Sequence, residues 1–301
     1  MPARLIINAD DFGLTLGINR TIEDLHRAGV LSSATLMATG PAFDDAVRIA
    51  QRNPSLGVGC HVVLTDGTPA SPPTSITSLV GPDNVNFRPS LLAFVLAIMR
   101  GQLRAADIRT EALAQIRKLQ AAGLHVTHLD THKHAHLFPA VSRPLLEAAQ
   151  QAGVQAIRNP FEQPWSLARG HGARLRRLQV RSLSTLERHF HADPHLRNGS
   201  VQTTGGTLGI FATGHLDAPI LRELLHALPP TGTWELVCHP GQNDTDLDRI
   251  TTRLRTHREI ERDALLDVIP HALSQPGAPT LIHYGELPAA PKDDLARSSA
   301  P

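Results

Sequence analysis

Short apolar runs alternate with amphipathic segments along most of the chain, and few folds accommodate that alternation. Residues 5–8, 33–38, 56–64 and 125–131 carry strand-like apolar runs. Between them, residues 19–28, 43–52 and 91–122 show helical spacing and stop at Gly29, at Asn53-Pro54 and at Gly123. A helix over 140–152 follows, closed by Gly153, and a fifth strand opens at 156–158. Then come two strand–helix pairs, 206–212 with 219–227 and 234–238 with 251–268, and a last strand at 280–284. About eight strands separated by helices imply a parallel sheet. The expected fold class is α/β: a single-domain, TIM-like (β/α) barrel, complete, incomplete or distorted. A doubly wound open sheet is the alternative. The chain has no internal repeat of about 20–50 residues, and neither a G-x-G-x-x-G nor a Walker pattern.

With 301 residues, 41% of them hydrophobic, the chain can bury one large core. One domain is expected over residues 1–287, with an insertion at about 161–205 and a disordered tail over 288–301. The insertion contains an irregular, arginine-rich stretch at 168–197. Residues 66–90, rich in Pro, Gly, Ser and Asp, read as one long loop, a length typical of functional lids or of disorder. The formal net charge of +1 gives no bulk attraction to nucleic acid, so none is expected as a partner. No run approaches ~18 uninterrupted apolar residues, so no integral membrane segment is expected. The opening Arg4-Leu5-Ile6-Ile7-Asn8 lacks the order of a signal peptide, and a cytoplasmic location is the expectation. Two cysteines, Cys60 and Cys238, cannot form a disulfide scaffold at this size. Each directly precedes a histidine, His61 and His239. Strand neighbours point to opposite faces, so the cysteines should pack into the core while the histidines face a site.

In barrel enzymes the active site lies at the C-terminal ends of the strands. Strand one ends in Asn8-Ala9-Asp10-Asp11-Phe12-Gly13. Adjacent carboxylates there are costly unless neutralised, and Gly13 permits a sharp turn; a solvated turn is the plain alternative. His61 lies near the end of strand three, where a single histidine is commonly a hydrogen-bonded core residue. Strand four runs into Thr127-His128-Leu129-Asp130-Thr131-His132-Lys133-His134-Ala135-His136. If the run is extended, His128, Asp130, His132, His134 and His136 share one face, which is expensive to bury without a metal or partners. A solvated histidine-rich loop is the plain alternative. Arg158 ends strand five and His239 ends strand seven. Five strand ends thus present Asp, His, His, Arg and His. Two neutral imidazoles and a carboxylate, with positions open to water, match a catalytic metal site.

These motifs resemble those of the YdjC-like carbohydrate deacetylases, the ChbG/HpnK family. The resemblance rests on residues 5–13, 54–65, 127–136 and 237–240, in the family's order, and covers roughly 4–160 and 205–285. It implies a hydrolase that removes the acetyl group from an N-acetylated amino sugar, using one divalent metal on a barrel-like fold. The resemblance implies Mg²⁺, whereas imidazole ligands suit Zn²⁺ or another transition metal. It further implies Asp11, His61 and His132 as metal ligands and Asp10 as the catalytic base. By analogy with the wider polysaccharide deacetylase group, His239 would be the general acid and Arg158 would orient Asp10. Asp130 would hydrogen-bond a ligand histidine and fix its tautomer. His128, His134 and His136 would stand behind the ligands or touch substrate. The substrate would be a chitooligosaccharide or a hopanoid- or other lipid-linked N-acetylglucosamine, and a homodimer follows by family analogy. The Gly40-Pro41-Ala42 turn and the Cys238-His239-Pro240 context lean toward the hopanoid branch. A metal-dependent barrel sugar isomerase or epimerase would use similar ligands without releasing acetate. A binding or regulatory protein with a structural metal is a third reading.

Overall fold

The computed structural model describes residues 2–167 and 186–288. The tail beyond 288 and residues 168–185 of the arginine-rich stretch lie outside the described residues. Strands β1 (Arg4–Phe12), β2 (Ser33–Leu36), β3 (Gly57–Val62), β4 (Leu129–Thr131), β5 (Thr207–Leu208), β6 (Thr233–Cys238) and β7 (Thr280–Leu281) form one sheet. Every pairing between them is parallel. The order is β4-β3-β2-β1-β6-β5, with β7 alongside the first residues of β1. Isolated parallel bridges, Leu129 to Ile157, Ala156 to Gln202 and Glu162 to Thr207, lead from β4 round to β5. The sheet is therefore curled into an incomplete barrel, and the doubly wound alternative falls away.

Helices α1 (Leu16–Arg27), α2 (Phe43–Arg52), α3 (Leu91–Met99), α4 (Ala105–Ala121), α5 (Pro139–Ala152), α6 (Ala218–His226) and α7 (Thr256–Leu273) complete the main elements. Their ends follow local chemistry. The Thr15 and Asp217 side chains cap α1 and α6. Gly153 closes α5 in the left-handed conformation, at φ 73°.

Alternation along β1 separates two interiors. Leu5, Ile7, Ala9 and Phe12 belong to the main core between sheet and helices. Ile6 joins Ala156, Ile282 and Tyr284 in a small separate cluster inside the barrel. Asn8 and Asp10, on the same inner face as Ile6, make the layers above it polar. Cys60 and Cys238 are free thiols in the outer core, while His61 faces inward. Each fully buried Leu or Ile contributes roughly 1.5–3 kcal/mol, so the outer core can carry a polar barrel interior.

Several expected elements are shorter than their sequence suggests. Residues 156–158 make only isolated bridges. Pro160 has no N–H to extend a ladder, and Asn159 turns its side chain to accept from Phe161 N at 3.0 Å. Gly206 (φ 152°) and Gly209 (φ 93°) bend the backbone on either side of β5. The helical stretch 91–122 is broken after α3, where Gly101 adopts φ 63°. The 66–90 loop is tied down by acids on α4. Glu111 accepts from Ala70 N (2.8 Å) and Ser71 N (2.9 Å), and Asp107 accepts from Ser78 N (2.9 Å).

Candidate active site

Asp10 and Asp11 are consecutive, yet both reach the same cavity end of the barrel. The cause is a register shift between Ala9 and Phe12 in the pairing of β1 with β2. Asp11 occupies the left-handed region at φ 65°. A bulge of this kind re-aims one side chain that regular alternation would send outward, and Asp tolerates that conformation better than most residues.

Three donor atoms converge there. Asp11 Oδ1 lies 3.6 Å from His61 Nε2 and 3.4 Å from His132 Nδ1, and the two imidazole nitrogens are 3.3 Å apart. A tetrahedral ion bound at about 2.0–2.1 Å needs ligand atoms about 3.4 Å apart, so this triangle fits one face of such a shell. His61 Nδ1 meets Asp130 Oδ1 at 2.7 Å. Donation of that N–H leaves the Nε2 lone pair aimed at the other two donors, the arrangement typical of ligating histidines. Burial disfavours a charged His61 ring, but Asp130, Asp10 and Asp11 push its pKa up to about 9. The cluster thus favours positive charge at its centre.

Asp10 sits beside this triangle, gripped by Arg158. Burial would raise its pKa, but the Arg158 guanidinium, with His61 and His239, holds it well below the usual carboxylate range. Arg158 is fully buried and also meets Asp130 Oδ2 at 2.5 Å and Glu235 Oε1 at 2.8 Å. His239 Nε2 stands 3.6 Å from Asp10 Oδ2. Five of the ten residues singled out in the sequence, Asp11, His61, His132, Asp10 and His239, therefore enclose one small volume. Arg158 and Asp130 back them.

The histidine-rich run does not form one extended face. The strand ends at Thr131, and Lys133 (φ 58°) and His134 (φ 52°) are left-handed. His132 turns to the triangle, while Lys133 pairs with Asp66 of the 66–90 loop. His136 Nδ1 bonds Thr131 Oγ1 at 2.6 Å. His128 lies a layer below: it stacks on Tyr284 at 3.9 Å and meets Asn8 Oδ1 at 3.1 Å. His134 Nδ1 and His136 Nε2 are buried without a hydrogen-bond partner among the described residues. Burial pushes the His134 pKa down to about 3.

Among the described residues, several that reach the site were not picked out by the sequence. Arg258 and Glu261 enter from α7, and Glu235 and Tyr284 lie beneath Arg158. Arg258 and Glu261 share a helical stripe with the buried Leu265 and Val268, at spacings of three and four. That intrusion of charge into an apolar stripe was the available signal.

A model of the family described as YdjC-like protein matches residues 4–273. A carbohydrate deacetylase of Brevibacillus brevis is 37% identical over 192 residues, 63% of this chain and 70% of that protein. One from Mus musculus is 32% identical over 251 residues, 79% of this chain and 78% of the relative. Among solved structures, one from Enterococcus faecalis V583 superposes with a TM-score of 0.74 at 23% identity, covering 94% of this chain and 98% of that one. That last likeness concerns the fold.

Proposed function

Because the chain belongs to the YdjC-like family, we propose that it is a metal-dependent hydrolase that removes the acetyl group from an N-acetylated amino sugar. The observation that carries this reading is the triangle of Asp11 Oδ1, His61 Nε2 and His132 Nδ1 beside an Arg158-held Asp10. Relatives named carbohydrate deacetylases support it.

Asp11, His61 and His132 would hold one divalent ion. Two imidazoles with one carboxylate favour Zn²⁺ or another transition metal over Mg²⁺. When bound, such an ion polarises the acetyl carbonyl and makes a water acidic enough to attack near neutral pH. The remaining steps belong to the chain's own side chains. Asp10, kept anionic by Arg158, accepts the proton of the attacking water. Arg158 fixes both Asp10 oxygens, so the base keeps one orientation through the reaction. His239 lies across from it and gives a proton to the leaving amine, which is too basic to depart as an anion. Asp130 holds His61 in the tautomer that leaves Nε2 free. His128, on Tyr284 and Asn8, and the buried His136, on Thr131, support the walls of the site.

The test is acetate release from chitooligosaccharides, free N-acetylglucosamine and a lipid-linked N-acetylglucosamine, with and without prior metal stripping. Release that depends on metal supports the reading, and the preferred compound names the substrate class. Release unaffected by stripping refutes it. Sugar isomerisation without acetate would favour the isomerase or epimerase reading instead.

A further inference from the structure

The first turns of α7 touch both sides of the site. Arg258 is 1% exposed, and its Nη2 donates to Asp11 Oδ2 at 2.6 Å. Its Nε donates to Leu254 O at 3.1 Å and its Nη1 reaches His239 O at 3.5 Å. Glu261, equally buried, accepts from His239 N at 2.5 Å and from Gly214 N at 3.4 Å. Residues three apart lie on one helix face. A single helix, anchored in the core by Ala264, Leu265, Val268 and Ile269, therefore grips the end of β1 and the end of β6 together.

We infer that Arg258 and Glu261 are positioning residues that set the Asp11 carboxylate and the His239 backbone relative to each other. The inference rests on the roles proposed for Asp11 and His239. Arg258 takes Asp11 Oδ2, so that only Oδ1 faces the two imidazoles. Asp11 has no regular strand pairing to hold it, because it lies in the bulge at φ 65°; the guanidinium supplies that restraint. Glu261 acts on the other side: two backbone N–H groups, from His239 and Gly214, require two acceptor oxygens, and the carboxylate provides both. Neither residue needs to touch the reacting atoms.

The two roles separate experimentally. Zn²⁺ is titrated by calorimetry into the metal-stripped full chain without substrate, and kcat and KM are measured by acetate release. Arg258→Met is expected to weaken Zn²⁺ binding about 10–100-fold, the usual effect of losing a hydrogen bond to a metal-ligating group. Arg258→Lys, which keeps the charge on a shorter stem, is expected to weaken it about two- to fivefold. Glu261→Gln is expected to keep Zn²⁺ affinity within about twofold while kcat falls at least about tenfold at unchanged KM. Wild-type Zn²⁺ affinity in Arg258→Met overturns the inference. So does a Glu261→Gln protein as weak in Zn²⁺ binding as Arg258→Met, because that pattern signals general loss of packing. If thermal melts show Arg258→Met unfolded, Arg258→Lys decides, and wild-type affinity there also overturns it. The calorimetry needs no substrate, so its failure is distinct from a failure to release acetate.

Discussion

Arg158 lies flat against Asp10, with Nη1 donating to Oδ2 at 2.9 Å and Nη2 to Oδ1 at 2.6 Å, and both side chains are sealed from solvent. The same guanidinium faces Asp130 and Glu235. One cation thus stands among three buried carboxylates, and the mismatch falls on Glu235. Burial pushes its pKa up to about 7 against the opposing pull of Arg158, so it is the carboxyl that most readily keeps a proton.

Removing the cation should be far worse than neutralising the base. Arg158→Met leaves Asp10 and Asp130 buried without their partner, and breaking such a pair typically costs about 3–5 kcal/mol. Asp10→Asn keeps the shape and one acceptor, but its amide N–H must meet an Arg158 donor. Because Asp130 and Glu235 still face the guanidinium, the fall in Tm is expected to be smaller than in Arg158→Met and Zn²⁺ binding to persist, while acetate release drops about 10²–10⁴-fold. Thermal melts and an acetate assay on the two variants check both statements. An Asp10→Asn protein of normal activity would remove Asp10 from the base role.

The three converging donors make a sharper prediction for metal. Asp11→Ala or His132→Ala each remove one corner of the triangle, and tight Zn²⁺ binding and acetate release are expected to be lost together. His128→Asn, a layer below, is expected to leave Zn²⁺ affinity near that of the wild type. Equilibrium dialysis with metal analysis measures all three. Equal loss in His128→Asn would mean that the triangle is not the binding unit.

Glu235 predicts a pH dependence of stability. Its folded pKa, about 7, lies above the reference value of 4.5, so the folded state holds the proton more tightly. That contribution is fully present below about pH 4.5 and is lost as pH rises through about 7; the shift corresponds to something on the order of 3 kcal/mol. The groups facing it are Arg158, Tyr284 and Asp10. Glu235→Gln, which cannot ionise, is expected to flatten the fall in Tm between about pH 5 and 8. A wild-type Tm profile identical to that of the variant across this range would contradict the assignment.

What the sequence made legible is what strand ends encode locally. The apolar run into Asp10-Asp11, the Cys60-His61 and Cys238-His239 steps and Arg158 before Asn159-Pro160 all fall where alternation and termination rules put them. The convergence of Asp10 with Asp11 was not legible in that way, because two neighbours on a regular strand face apart and only the bulge at φ 65° brings them together. The role of the histidine run was hidden for a similar reason. The strand stops at Thr131, and left-handed Lys133 and His134 turn the rest of the run away, so that of its later histidines only His132 joins the triangle. Arg258 and Glu261 are distant in sequence from every strand-end motif, and only tertiary packing brings α7 to the rim. The expected fifth strand is reduced to isolated parallel bridges at Ala156 and Ile157, and it goes no further because Pro160 cannot donate and Asn159 bonds locally.

The two oxygens of Asp130 serve opposite sides. Oδ1 meets His61 Nδ1 at 2.7 Å, while Oδ2 accepts from Thr35 Oγ1 at 3.2 Å and faces Arg158 Nη1. All three neighbours present donors, and an asparagine has only one acceptor oxygen. Whichever way its amide is turned, an N–H group meets another donor. If it meets His61, the ring is driven toward the tautomer with the proton on Nε2, and the lone pair that faces Asp11 and His132 is lost. Asp130→Asn is therefore expected to weaken Zn²⁺ binding about 10–100-fold although Asp130 is not itself one of the three corners. Nitrogen-15 NMR of the histidine rings in the metal-free protein, recorded above about pH 9 where the His61 ring is neutral, reads the tautomer directly. A variant with unchanged Zn²⁺ affinity and His61 still protonated on Nδ1 would show that the ring is fixed by packing alone, not by the carboxylate.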